Sequence, residues 1–252
     1  MLSKNQLKNI TSLHLKKFRE EKKLFIVEGE KLVDELIKST FEIISIYAVK
    51  QWIDSFSGGL NKSLITEISD AELKKISLLP SPNKVLAVVK QKSDNINLAL
   101  LKNDLSIYLD DIRDPGNLGT IIRLAHWFGI NQIICSKNTV ETHNPKAVQS
   151  TMGSIFHVPI VRFELAEIAE LIPSVNIYGA FLEGENIYLK KEFNSGILVI
   201  GNESNGISSS NFQYIKEKIS IPANSVNHSE SLNAAMALGI IVSEHFRRKI
   251  FG

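Results

Sequence analysis

The sequence predicts an α/β protein in which a mostly parallel sheet, covered on both faces, follows a smaller α/β domain. Three observations carry this. Short apolar strands alternate with helical stretches through the second half of the chain. The polar stretch "KSDNIN" has no hydrophobic period and separates that half from the first. The chain has 252 residues and is 44% hydrophobic, which suffices for two modest domains with cores of their own. The boundaries read as 1–92 for the first domain, 93–97 for the linker and 98–252 for the second.

In the first domain "NQLKNITSLHLKKFRE" has apolar residues at helical spacing, and "LFIVEG" is a short apolar run ending in a turn. "EKLVDELIKS" is helical, "FEIISIYAV" is strand-like, "DAELKKIS" is a short helix capped by Asp70, and "NKVLAVVKQ" closes the set as a β-branched run. In the second, "LSIYLDDI", "NQIICS", "VNIYGAF", "GILVIG" and "KISIP" are the strands. The last helix, "SLNAAMALGIIVSEHF", is apolar nearly all round between Ala234 and Val242, so either the sheet or a second subunit must cover it. No internal repeat or low-complexity segment is visible.

The net charge of +2 does not announce a nucleic-acid partner, but the local charge is uneven. Lys4, Lys8, Lys16, Lys17, Arg19, Lys22 and Lys23 precede Phe25, against Glu20 and Glu21. Lys16, Lys17, Arg19, Lys22 and Lys23 are the candidate phosphate contacts; the alternative is a solvated helix face. Arg247, Arg248 and Lys249 form a second basic cluster. The single cysteine, Cys135, lies in an apolar run and reads as an inert core residue. No run approaches the length of a membrane span, no apolar leader opens the chain, and the six histidines are scattered without a metal-ligand spacing. A cytoplasmic protein without a bound metal is expected. Neither a dinucleotide-binding G-x-G-x-x-G nor a P-loop occurs.

Three stretches carry candidate chemistry. In "DPGNLGTIIRLAHWFG", Asn117 is the candidate helix cap, Leu118, Ile121, Ile122 and Ala125 share one face, and Arg123 projects sideways one turn after Gly119. That suits a phosphate or carboxylate ligand; the alternative is a surface ion pair with Asp111 or Asp114. In "ILVIGNESNGIS" a buried strand ends in a loop holding Gly201, Glu203 and Gly206, where ligands of parallel sheets bind; the alternative is a plain tight turn. In "ISIPANSVNHSESLNAAMALG", Ser231 or Asn233 opens the last helix and serves at least as its cap.

Taken in order, "NLGTIIRLAHWFG", "GNESNGIS" and "IPANSVNHSESLNAAMALGI" resemble the three motifs of the SpoU-type (TrmH) family of the SPOUT superfamily, RNA ribose 2'-O-methyltransferases that use S-adenosylmethionine. "KKFREEKKLFIVEGEKLVDELI" and "SPNKVLAVVK" resemble the ribosomal-protein-like RNA-binding domain that precedes the catalytic domain in many relatives. The resemblance implies a trefoil-knotted α/β domain and a homodimer. It implies cofactor binding by groups around Ala180, Phe181, Gly201, Ile221 and Leu232. It makes Arg123 the catalytic arginine, with Asn117, Glu203, Ser231 and Asn233 orienting it and the ribose. It implies an RNA substrate, most readily large-subunit (23S) ribosomal RNA, with transfer RNA or a non-catalytic RNA-binding role as alternatives. Leu124 stands where relatives carry Ser or Thr, Ala234 where valine is common, and the loop from Pro222 to Ser231, with His228, is long for the family. All three motifs lie after residue 110, so a chain starting near residue 94 is expected to fold alone.

Overall fold

The computed structural model describes residues 1–251 apart from 58, 60, 94, 191, 192, 194 and 225–230. His228 and most of its long loop lie outside the described residues. In chain order, the first elements are α1 (Lys4–Ser12), α2 (Lys16–Lys22), β1 (Leu24–Glu28), α3 (Glu30–Ile37), β2 (Ile43–Ala48), α4 (Lys50–Ser55), β3 (Ile65–Glu67), α5 (Asp70–Ile76) and β4 (Val85–Lys90). Then come α6 (Leu98–Asn103), β5 (Leu105–Leu109), α7 (Pro115–Trp127), β6 (Ile133–Cys135), α8 (Pro145–Ser150) and β7 (Ile160–Arg162). The last are α9 (Leu165–Leu171), β8 (Ile177–Asn186), β9 (Gly196–Ile200), β10 (Glu217–Ser220) and α10 (Ala234–Phe251).

The chain forms two compact units, residues 1–93 with 141–157, and residues 94–140 with 158–252. The first holds a four-stranded sheet in the order β1-β4-β2-β3. The helical stretch at its start breaks in two, because Leu13 closes α1 and Leu15 returns to extended backbone before α2. Arg19 occupies the break. Its Nη1 donates to the carbonyls of Leu13 and His14, each at 2.8 Å, which satisfies oxygens that the end of α1 leaves free. α5 is capped by Ser69 in a capping box with Glu72, and Asp70 is its first helical residue rather than its cap, since a hydroxyl three residues before a glutamate makes the reciprocal pair.

The segment 141–157, which the sequence groups with the second domain, packs into this first unit. Glu141 takes Nε and Nη2 of Arg19 at 2.8 and 2.6 Å, and Gln149 of α8 donates to the carbonyl of Glu28 at the end of β1. Phe156 packs edge-on to Phe41. Gly153 has φ +96°, and a Cβ there would lie 2.9 Å from the side chain of Glu35, so the close approach requires glycine.

The second unit is built on a six-stranded sheet in the order β10-β8-β9-β5-β6-β7, with every pairing parallel. β5 and β9 are buried along their whole length, which is why they read as continuous apolar runs. β7 is the strand of this sheet that the sequence does not disclose, as β3 is in the first sheet; each has three residues. Cys135 is fully buried in β6, and burial pushes its thiol up to about 12. Arg247 and Arg248 are not a free basic patch, because both pair with Glu244, while Lys249 pairs with Asp104. Among the described residues, no helix is long and apolar enough to cross a membrane, and no cluster of residues could hold a metal ion.

Candidate active site

The site starts where β5 ends. Asp110 is buried, and its carboxylate accepts from the amide and hydroxyl of Ser208, both at 2.7 Å, and from Asn211 at 3.0 Å. This fastens the loop after β9 to the start of the loop that leads into α7. Asp114 caps α7, accepting from the Asn117 amide at 2.8 Å, and Pro115 takes the first helical position, where its missing N–H costs nothing. Asn117 is therefore not the cap that the sequence suggests. It stands one turn inside the helix, with its side chain free for other work.

That work joins the three motifs. The Asn117 amide donates to the carboxylate of Glu203, and its oxygen accepts from Asn233 at 2.9 Å. The oxygen of Asn233 accepts from the amides of Ala235 and Met236, so Asn233 also caps α10. Three of the five predicted catalytic residues thus form one hydrogen-bonded chain. Ser231 and Leu232 directly precede Asn233 and are exposed. Arg123 is exposed on α7 and makes no ion pair among the described residues. Asp111, its candidate partner, is held by Arg113 at 2.8 Å.

Two of the predicted cofactor positions follow strand ends: Gly201 follows β9 and Ile221 follows β10. Ala180 and Phe181 lie inside β8, just past Gly179, where its pairing with β9 ends and its pairing with β10 breaks until Glu185. These three strands are adjacent and parallel, so the positions lie on neighbouring strands of the sheet. The ring of Phe181 packs edge-on to Phe212 and under Lys218, which leaves its backbone as the group available to a ligand. At Gly201 a Cβ would lie 2.2 Å from the backbone of Gly206, so the loop after β9 folds directly onto the strand end.

Residues 104–243 match the SpoU rRNA Methylase family. The chain belongs to this family. Residues 4–87 match the MRM3-like substrate binding domain. Over 247 residues the chain is 31% identical to the 23S rRNA (guanosine(2553)-2'-O)-methyltransferase RlmP of Bacillus subtilis (strain 168), covering 95% of this chain and 96% of that protein. A solved TrmH-family protein from Porphyromonas gingivalis superposes with a TM-score of 0.88 at 32% identity, over 98% of this chain and 99% of that one. The AdoMet-bound rRNA methyltransferase from Sinorhizobium meliloti superposes with a TM-score of 0.85 at 26% identity, over 100% of this chain and 97% of that one.

The predicted phosphate contacts lie within the residues matched to the substrate binding domain. There the structure removes one predicted contact. Arg19 is 2% exposed, and its guanidinium is occupied by Glu141 and two carbonyls, so it cannot reach a phosphate. Lys16, Lys17 and Lys23 are exposed, and Lys22 is half-buried against Ser12 and Asn9. Sequence reasoning also misses Asp110 and Asp114, which build the site without entering it. The Asp-Pro step was a readable signal for the second, as a cap followed by a first-turn proline.

Proposed function

We propose that this chain transfers the methyl group of S-adenosylmethionine to a ribose 2'-hydroxyl of 23S ribosomal RNA, and that it does so as a homodimer. The observation that carries the reading is the hydrogen-bonded chain Glu203–Asn117–Asn233, which ties the three motifs together. The relatives support the substrate, since the Bacillus subtilis protein matched along nearly its whole length is named as a 23S rRNA 2'-O-methyltransferase. The bacterial relative supports a cytoplasmic location, and family membership supports a trefoil knot in the chain that follows β9.

The residues present suit the cofactor. Backbone at Ala180 within β8 and at Gly201 and Ile221 after β9 and β10, with the exposed apolar side chain of Leu232, offers amide hydrogen bonds and an apolar surface for an adenosyl group. When bound, S-adenosylmethionine supplies an electrophilic methyl group on a sulfonium. The protein supplies orientation and charge. Asn117, Glu203 and Asn233 hold one another in fixed directions, the pre-organisation on which in-line transfer depends. Ser231 adds a hydroxyl beside them. Arg123 offers a planar, positively charged fork, suited to holding an RNA phosphate and to stabilising negative charge that develops on the 2'-oxygen. Lys16, Lys17, Lys22 and Lys23 supply phosphate contacts without sequence preference.

Dimerisation is supported by apolar groups left at the surface of the second unit. Met236 on α10 is 61% exposed and Trp127 on α7 is 84% exposed.

The test is to incubate the protein with S-adenosylmethionine labelled in its methyl group and with unmodified 23S rRNA or tRNA. Label should enter the rRNA at one position, which then resists alkaline cleavage because its 2'-oxygen is blocked. Label on a base, or in tRNA alone, would overturn the reading.

A further inference from the structure

We propose that Asn202 is a positioning residue of this site, setting the place of Glu203 by tying its loop to the backbone of Asp111. The proposal rests on the methyltransferase reading above, and the tests are separable, because the wild type tests that reading and the ratio of variant to wild type tests this one.

Asn202 is nearly buried and uses both ends of its side chain. Its Nδ2 donates to the Asp111 carbonyl at 2.9 Å, and its Oδ1 accepts from the amides of Ser204 at 2.9 Å and Asn205 at 3.2 Å. Its backbone pairs reciprocally with Gly206 at 2.9 and 2.8 Å. The carbonyl it reaches is itself anchored. Asp111 sits at φ 60°, a conformation that aspartate tolerates, and its amide donates to the Ser136 hydroxyl at 3.0 Å. Its carboxylate is held by Arg113, and its neighbour Asp110 is held by Ser208 and Asn211.

Beside the bonds of Asp110 to Ser208 and Asn211, two links close to Glu203 join the loop after β9 to the loop that opens α7. One is the contact of Glu203 with Asn117 within the site. The other is the part-buried bond from Asn202, the residue just before Glu203, to Asp111. This second link fixes the backbone from which Glu203 projects. Displacement of a reacting constellation by about 1 Å can cost about a hundredfold in rate. Asparagine suits the position because one short side chain must donate in one direction and accept in the other.

Asn202→Asp keeps the acceptor for Ser204 and Asn205 but turns a second oxygen toward the Asp111 carbonyl. Asn202→Ala removes both ends. Each variant should lose about tenfold to a hundredfold in kcat on 23S rRNA, while KM for rRNA and the affinity for S-adenosylmethionine stay within about threefold of wild type. Hydrogen exchange, read without turnover, should show the Ser204 and Asn205 amides protected in Asn202→Asp and unprotected in Asn202→Ala. Should the alanine variant not fold, the aspartate variant decides. A kcat within about threefold of wild type in Asn202→Asp, a parallel loss of cofactor binding, or failure of the aspartate variant to fold would each overturn the proposal.

Discussion

Arg123→Ala is expected to lower turnover by about a hundredfold to a thousandfold and to leave S-adenosylmethionine binding unchanged by calorimetry, since cofactor contacts are assigned to β8 and to the ends of β9 and β10. Arg123→Lys should not restore it, because a point charge cannot reproduce the planar fork. Near-normal turnover in either variant would return Arg123 to a plain surface role. Arg19→Ala should act on the fold instead. It strands the Glu141 carboxylate and two carbonyls, and loss of one partner of a buried pair costs about 3–5 kcal/mol, readable by denaturant unfolding, whereas Lys17→Ala should cost almost nothing. An unchanged unfolding midpoint in Arg19→Ala would show that the pair is dispensable. These two arginines mark what could be read in advance. Arg123 could be singled out because it stands inside an ordered motif. The role of Arg19 was not, because its partner lies 122 residues away and only folding brings them together. Likewise Asn117, Glu203 and Asn233 were legible as separate motif members, but the bonds that join them are long-range.

At the scale of elements, α10 separates two kinds of apolar residue. Leu238 and Ile241 are buried within the chain, while Met236 faces outward. Met236→Glu should therefore give a folded monomer by light scattering, with a thermal midpoint close to that of the free subunit. Leu238→Glu should unfold the chain. A wild-type monomer at low micromolar concentration, or an unperturbed dimer in Met236→Glu, would remove the dimer from the account. Periodicity disclosed this helix but not its two sides, because a nearly uniform apolar run carries no direction. It also placed the start of α7 three residues late, since Asn117 and Asp114 are both good caps and Pro115 decides between them. The strand set was legible apart from β3 and β7, each of three residues and too short to show an alternation.

At the scale of the molecule, the sequence predicts that a chain beginning near residue 94 folds alone, and the packing of residues 141–157 argues against it. Ala147, Val148, Ile155 and Phe156 are buried in the unit formed with residues 1–93. Cutting that unit away uncovers them, and each large apolar side chain loses about 1.5–3 kcal/mol of burial. A fragment from residue 94 onward should aggregate or show a strongly lowered midpoint, and a soluble, cofactor-binding fragment would contradict this. The segment escaped sequence reading because nothing in "ETHNPKAVQSTMGSIFH" marks it as belonging to an earlier part of the chain.

The main chain thus passes between the units three times, after residues 93, 140 and 157. For protein engineering this means that the first unit cannot be exchanged as one continuous cassette. A chimera that borrows residues 1–93 from a relative would bring an arginine socket, a β1 edge and a Glu35 surface shaped for a foreign insert. It would have to import that relative's counterpart of 141–157 as well, so that a graft which looks like a single splice on the gene requires two.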